Sequence, residues 1–444
     1  MTERERVNWA GRTLRVRVDG PAHGGEFVAR HEGRVVFCRG AITGELVDVV
    51  VDDDPGRAFC RGSVREVLEA SPHRVAPRCP AAAAGAGCCD WSHIAPEAAR
   101  RFSGTVLAEQ AQRIGKIDTA DTPVPVVAPA GDTSSTGWRT VARWVTGPDA
   151  IPGVRRAHSR QIITEPCVQV EPRLREAVEA SGVAPGREVL GVLGDDQTIH
   201  VAHRPLDEPP ARGGGSRRSA TRTRARHARA GAWEPVAGPT SVLRRVGQRS
   251  WSLPLEAFWQ AHRSAPRHYS DVVCDAIAST PGLSRGPEVW DLYGGAGVFA
   301  AAALDVAPGA RVTLVESATA SLGAADTGGQ DVDGVRRVGS RVETFLEGVR
   351  PGGADTGPDV VVLDPPRGGA GIDVMVRLSE LTRARIVHVG CDPASLARDV
   401  GVLVAAGWTL VDLSGVAAFP GTHHVEGLAI LDAPATAGRH AAHR

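Results

Sequence analysis

The sequence is nearly without lysine: Lys116 stands alone among 51 basic residues, so positive charge is carried by arginine. It also lacks net charge, with 51 basic against 51 acidic side chains, which removes any global argument for a polyanionic partner. No apolar run approaches the ~20 residues of a membrane-spanning helix, so no membrane partner is expected. The first residues, Met1 to Arg6, are charged and lead into no apolar core, which excludes a secretory signal and predicts a cytoplasmic protein. Eight cysteines in 444 residues are too few and too uneven for a disulfide framework. In a reducing compartment they point to catalysis, metal binding or burial.

What is present describes a globular chain of two or three domains, with 42% apolar and 23% charged residues. Residues 1–71 carry short alternating runs such as Leu14-Arg15-Val16-Arg17-Val18, punctuated by glycine, as a small β-barrel requires. Residues 72–250 are mixed α+β in pattern and end near an arginine-rich insertion at 212–229, which reads as a solvated loop able to meet phosphates. From 251 to 444, apolar strand candidates alternate with helical stretches, the pattern of an α/β fold with a mostly parallel sheet.

Within that last region, Cys391 lies where the apolar run 384–390 meets Asp392-Pro393, a good helix N-cap followed by a good first-turn residue. The positive end of a helix dipole there is expected to lower the thiol pKa. A lone cysteine at a strand end is more often structural; its neighbours shift the balance. Asp291-Leu292-Tyr293-Gly294-Gly295-Ala296-Gly297 forms a strand-to-helix glycine turn, and Glu316 ends the next strand 21 residues beyond Gly295. A carboxylate there can accept both hydroxyls of a ribose. The acid ahead of the turn suits a cationic amino-acid cofactor better than a pyrophosphate. Asp364-Pro365-Pro366-Arg367 then follows a further apolar strand.

With Phe258-Trp259-Gln260, Gly390-Cys391-Asp392-Pro393 and Phe419-Pro420-Gly421-Thr422-His423-His424-Val425-Glu426, these segments resemble the RNA uracil-5-methyltransferase family. Residues 12–70 resemble its RNA-binding TRAM domain. The resemblance implies a Rossmann-like class I methyltransferase domain, preceded by a small OB-like TRAM barrel and a central mixed α+β domain. It implies a monomeric enzyme acting on rRNA or tRNA, 23S rRNA being favoured, with S-adenosylmethionine as methyl donor.

By the same resemblance Cys391 is the nucleophile that adds to C6 of uracil, and Glu426 is the base that later removes the C5 hydrogen. Gln260, Tyr293, Gly295, Gly297, Glu316 and Asp364 would contact S-adenosylmethionine. Ser340 stands where the family has an acid or amide for the adenine, and 324–330 replaces a helix. Many members also hold a [4Fe-4S] cluster on three close cysteines and one distant one. Cys79, Cys88, Cys89 and Cys167 supply the number, but the adjacency of Cys88 and Cys89 is expected to strain joint ligation. Cys38, Cys60 and Cys274 read as core. His423 and His424, if on a strand, would point to opposite faces and receive no catalytic role. The rival readings are a cytosine-5 methyltransferase, disfavoured because the acidic Pro-Pro segment carries no cysteine, and a catalytically silent RNA-binding relative, disfavoured by the intact Cys391, Glu426 and Asp364.

Overall fold

A computed structural model describes residues 8–56, 58–120, 122–157, 159–206, 231–283, 286–318, 335–349 and 357–434. The arginine-rich insertion and the 324–330 segment lie outside these. The alternation in the N-terminal region closes into a barrel: β1 (Thr13–Pro21), β2 (Phe27–His31), β3 (Arg34–Arg39), β4 (Leu46–Asp53) and β5 (Phe59–Glu69) run in the order β1-β2-β3-β5-β4. Every second residue of β1 and β4 points inward, so Leu14, Val16, Val18, Val47, Val49 and Val51 fill the interior with Cys38 and Cys60.

The middle of the chain begins with a single turn, α1 (Pro80–Ala83), and a long helix, α2 (Pro96–Arg113), followed by β6 (Val126–Val127). Strands β7 (Val141–Thr146), β8 (Pro152–Arg155), β9 (Ile162–Ile163), β10 (Arg187–Leu193), β11 (Ile199–Pro205) and β12 (Glu234–Ala237) build a sheet of order β12-β11-β10-β7-β8-β9, backed by α3 (Pro172–Glu179). A hairpin of β13 (Ser241–Val246) and β14 (Arg249–Pro254) leads out of it.

The C-terminal elements are α4 (Ala265–Ala278), β15 (Glu288–Leu292), α5 (Val298–Val306), β16 (Arg311–Glu316), β17 (Val335–Gly339), α6 (Val342–Glu347), β18 (Val360–Leu363), α7 (Ile372–Leu381), β19 (Arg385–Gly390), α8 (Pro393–Ala405), β20 (Thr409–Val416) and β21 (Glu426–Asp432). Their sheet has the order β17-β16-β15-β18-β19-β21-β20-β6. The first five strands are parallel, and β21 is inserted antiparallel between β19 and β20. Strand β18 is buried along its whole length, as its unbroken apolar run requires when helices cover both faces.

Two elements from before residue 251 complete this layer. Strand β6 pairs with β20, and α2 packs Leu107, Ala108 and Ala111 into the core that holds Leu396, Val400 and Leu403 of α8. The chain order changes direction between β15 and β18, so a crevice opens where their carboxyl ends diverge. Tyr293, Glu316, Asp364 and Cys391 sit at or one residue beyond the ends of β15, β16, β18 and β19.

Candidate active site

The glycine turn is built around a buried acid. Asp291 in β15 accepts the Ala300 N–H on Oδ2 at 2.9 Å, while its Oδ1 is buried without a hydrogen-bond partner. Burial pushes this carboxyl up to about 7, helped by the Asp364 and Glu316 carboxylates. At Gly294 a Cβ would collide with Leu314 and with Asp291 itself. Gly295 and Gly297 have φ of +54° and +85°, and even Tyr293 takes +59°, a conformation that costs a non-glycine residue energy. The Gly295 N–H donates to Glu316 Oε2 at 3.2 Å, and the Ala318 N–H donates to Glu316 Oε1 at 2.6 Å. Ser340 donates its N–H to the Glu316 carbonyl at 3.1 Å, and its hydroxyl donates to the Arg341 carbonyl. Gln260 is half-buried and follows Trp259, whose ring lies 5.8 Å from Trp251. The Trp251 indole in turn donates to the Ala296 carbonyl of the turn at 3.0 Å. An orphaned carboxylate oxygen, a cradle with no room for a side chain and a second carboxylate beside it fit a ligand with a cationic amino-acid end and a ribose.

Strand register brings two distant residues together. Gly390 of β19 pairs with Gly427 of β21 at the end of their ladder, so Cys391 and Glu426 each lie one residue from that last rung, although 35 residues separate them in sequence. Glu426 is 4% exposed, and burial beside the Asp364 carboxylate pushes it up to about 8, partly offset by Arg367. Burial alone pushes Asp364 up to about 7.

The helix-dipole argument for an acidic thiol is overturned: burial, reinforced by Glu426 and Asp364, pushes Cys391 up to about 12. The dipole offers only about half a charge. Asp392 already takes the Ser395 N–H on its side chain at 2.8 Å, and two neighbouring carboxylates outweigh what remains. Asp392 is also tied to the barrel, because His23 Nε2 lies 2.9 Å from its Oδ2.

Two residues escaped the sequence reading. Tyr269 in α4 is 1% exposed and its hydroxyl has no hydrogen-bond partner. Its pKa is raised well above the ordinary value by burial and by Glu426, Asp364 and Cys391. Its position on the buried stripe of an amphipathic helix gives no signal beyond core packing. Asp399, fully buried, accepts the Ala370 N–H at 2.7 Å and meets His388 at 3.3 Å and Arg398 at 2.6 Å. It thereby fastens the segment after Asp364-Pro365-Pro366 to α8. The histidine pair also departs from expectation. His423 and His424 precede β21, where no strand forces alternation, and their rings are 4.1 Å apart. His424 is driven down to about 4 by burial.

Four of the five remaining cysteines converge. Cys79, Cys88, Cys89 and Cys167 share one apolar cluster, and hydrogen bonds from Cys167, Cys88 and Cys89 hold Cys79 far below the ordinary thiol range. Cys89 takes φ +51°, a left-handed conformation, and the thiols of Cys88 and Cys89 both hydrogen-bond with those of Cys79 and Cys167. Among the described residues no group of three or more His, Cys, Asp or Glu is arranged to hold a metal ion. Four thiols, two buried and two half-buried, are by their chemistry a donor set of the kind an iron–sulfur cluster takes. Cys274 is half-buried on α4.

Residues 10–68 match the TRAM domain family. An uncharacterized RNA methyltransferase of Corynebacterium efficiens is 39% identical over 429 residues, covering 95% of this chain and 94% of its own length. The 23S rRNA (uracil(1939)-C(5))-methyltransferase RlmD of Halomonas elongata is 32% identical, covering 95% and 90%. The chain belongs to the RNA uracil-5-methyltransferase family. As a member it is an S-adenosylmethionine-dependent RNA methyltransferase. Its fold is that of the Pyrococcus abyssi tRNA (uracil-54, C5)-methyltransferase, with a TM-score of 0.65 at 18% identity, covering 94% of this chain and 99% of that one. No helix among the described residues of this uracil-5-methyltransferase is long and apolar enough to cross a membrane.

Proposed function

We propose that this enzyme methylates C5 of a uridine in 23S rRNA through a covalent bond between Cys391 Sγ and C6. The observation that carries the reading is the antiparallel register that sets Cys391 against Glu426, with Asp364 close enough to raise both. C5 of uracil is a weak nucleophile until a group adds to C6 and puts enolate density on C5. Sγ forms the bond to C6 as its proton leaves. Asp364, near its midpoint at neutral pH, is the acceptor that leaves Glu426 free for its own step. When bound, S-adenosylmethionine supplies the methyl group to C5. Ionised Glu426 then removes the C5 hydrogen, the C5–C6 double bond re-forms, and the Sγ–C6 bond breaks. Glu316 would hold the ribose, Asp364 would face both donor and base, and Gln260, Tyr293, Gly295 and Gly297 would line the donor.

We assign Cys79, Cys88, Cys89 and Cys167 to a [4Fe-4S] cluster, whose contribution here is to join two distant chain segments. The enzyme is read as a cytoplasmic monomer. Mapping 5-methyluridine in RNA from a strain lacking the gene tests the substrate. Loss of one 23S rRNA site, restored by the purified enzyme, supports the proposal, whereas loss in tRNA alone refutes the choice of RNA.

A further inference from the structure

Both cysteine-bearing segments continue directly into hydrogen bonds with the loop that leads to Glu426. Asp90, next after Cys89, accepts the His423 N–H on Oδ1 at 3.1 Å, and its Oδ2 lies 2.5 Å from His423 Nδ1. The Trp91 N–H donates to the Gly421 carbonyl at 3.0 Å. From the other segment Gln169, two residues after Cys167, donates Nε2 to the Pro420 carbonyl at 3.4 Å. The loop between β20 and β21 is fixed at its far end by Val425, 1% exposed, and Glu426 follows at once. Behind Asp90 the barrel closes the junction: the Trp91 indole donates to the Gly25 carbonyl at 2.9 Å, and a Cβ at Gly25 would lie 2.5 Å from Asp90 Oδ2 and 2.7 Å from His423 Nδ1.

We infer that the four-cysteine site is a brace for the general base, with Asp90 and Gln169 as positioning residues that hold the 420–423 loop so that Glu426 reaches the C5 hydrogen. The inference rests on the covalent uracil mechanism proposed above. Cys391 is carried by a different junction, between β19 and α8, so addition to C6 and methyl transfer do not depend on this loop. Proton removal does. Cys89 takes φ +51°, and the next side chain, Asp90, meets the loop at His423. A displacement of about 1 Å at a reacting group is enough to cost on the order of 100-fold in rate.

The test compares holoenzyme variants Asp90→Ala and Gln169→Ala with wild type on a 23S rRNA transcript, reading covalent adduct by denaturing gel and intact mass, iron content, and kcat against KM. The expected result is a methylated protein–RNA adduct accumulating on ordinary RNA. Iron content and KM for RNA should be unchanged, with kcat reduced 10- to 100-fold for Asp90→Ala and less for Gln169→Ala. Removing iron from the wild type should produce the same adduct. Asp90→Asn, which keeps an acceptor for the His423 N–H, should lie between. If neither alanine variant accumulates adduct while both bind RNA and donor normally, the brace is wrong. If Asp90→Ala simply unfolds and Gln169→Ala behaves as wild type, it is also wrong. Failure of the wild type to trap on a 5-fluorouridine transcript would instead remove the underlying mechanism.

Discussion

The molecule holds two kinds of sulfur site, and they differ in what surrounds them. Cys391 is held protonated by burial, and the neighbouring Glu426 and Asp364 carboxylates reinforce this. Cys79, Cys88, Cys89 and Cys167 stand among one another, where shared hydrogen bonds draw Cys79 towards thiolate and push Cys88 and Cys89 the other way. A thiol held protonated does not react or ligate while the site is empty, whereas a ligand set binds metal as thiolates.

The sharpest way to break this contrast is to exchange the losses. Cys391→Ala should reduce turnover by about 10^4-fold or more while leaving visible absorbance and iron content unchanged. Cys89→Ala should remove the iron signal. A colour change in the first variant would merge the two sites into one.

Next in size is Glu426→Gln, expected to lower kcat by about 10^2- to 10^4-fold and to leave methylated adduct on the RNA. Its pH behaviour follows from its surroundings. Glu426 acts as base only when ionised, so wild-type kcat should climb as pH passes through about 8, and the limb should vanish in the variant. Stability runs the other way. The folded-state pKa is raised above the unfolded value of 4.5, so the stabilising contribution is complete below that value and is lost as pH rises through about 8. Glu426→Gln should therefore raise the unfolding free energy at pH 8 by on the order of 4 kcal/mol, read as a higher Tm, and the gain should shrink towards pH 5.

A smaller effect tests the donor site. Gly294→Ala puts a methyl group against Leu314 and Asp291, and should weaken S-adenosylmethionine binding about 10-fold by calorimetry while RNA affinity holds. Smallest of all, His23→Ala removes a half-exposed contact between the barrel and the nucleophile turn and should change stability by less than about 1 kcal/mol.

Much of this was legible in sequence because strand ends carry period and punctuation. Alternation in 14–18 and 46–51 gives the barrel, and the unbroken run at 360–363 gives a doubly covered strand. The acids after β16 and β18 are where ligands of such sheets bind. What escaped depended on contacts between distant segments. The pKa of Cys391 could not be read from Asp392-Pro393 because burial in the folded site dominates it, and Glu426 and Asp364, which raise it further, arrive from other strands. The approach of Cys88 and Cys89 to Cys79 and Cys167 joins distant segments, and the left-handed φ of Cys89 is not encoded by residue identity. Tyr269 and Asp90 carry ordinary local patterns, and only tertiary packing brings one to the carboxylates and the other to His423.

The central claim is the covalent bond from Cys391. Incubating the enzyme with S-adenosylmethionine and a 23S rRNA transcript bearing 5-fluorouridine, then mapping the adduct by mass spectrometry, tests it directly. Fluorine cannot be removed as a proton, so the account predicts a stable adduct carrying one methyl group on the peptide that contains Cys391. No adduct with wild type, or the same adduct formed by Cys391→Ala, would contradict it.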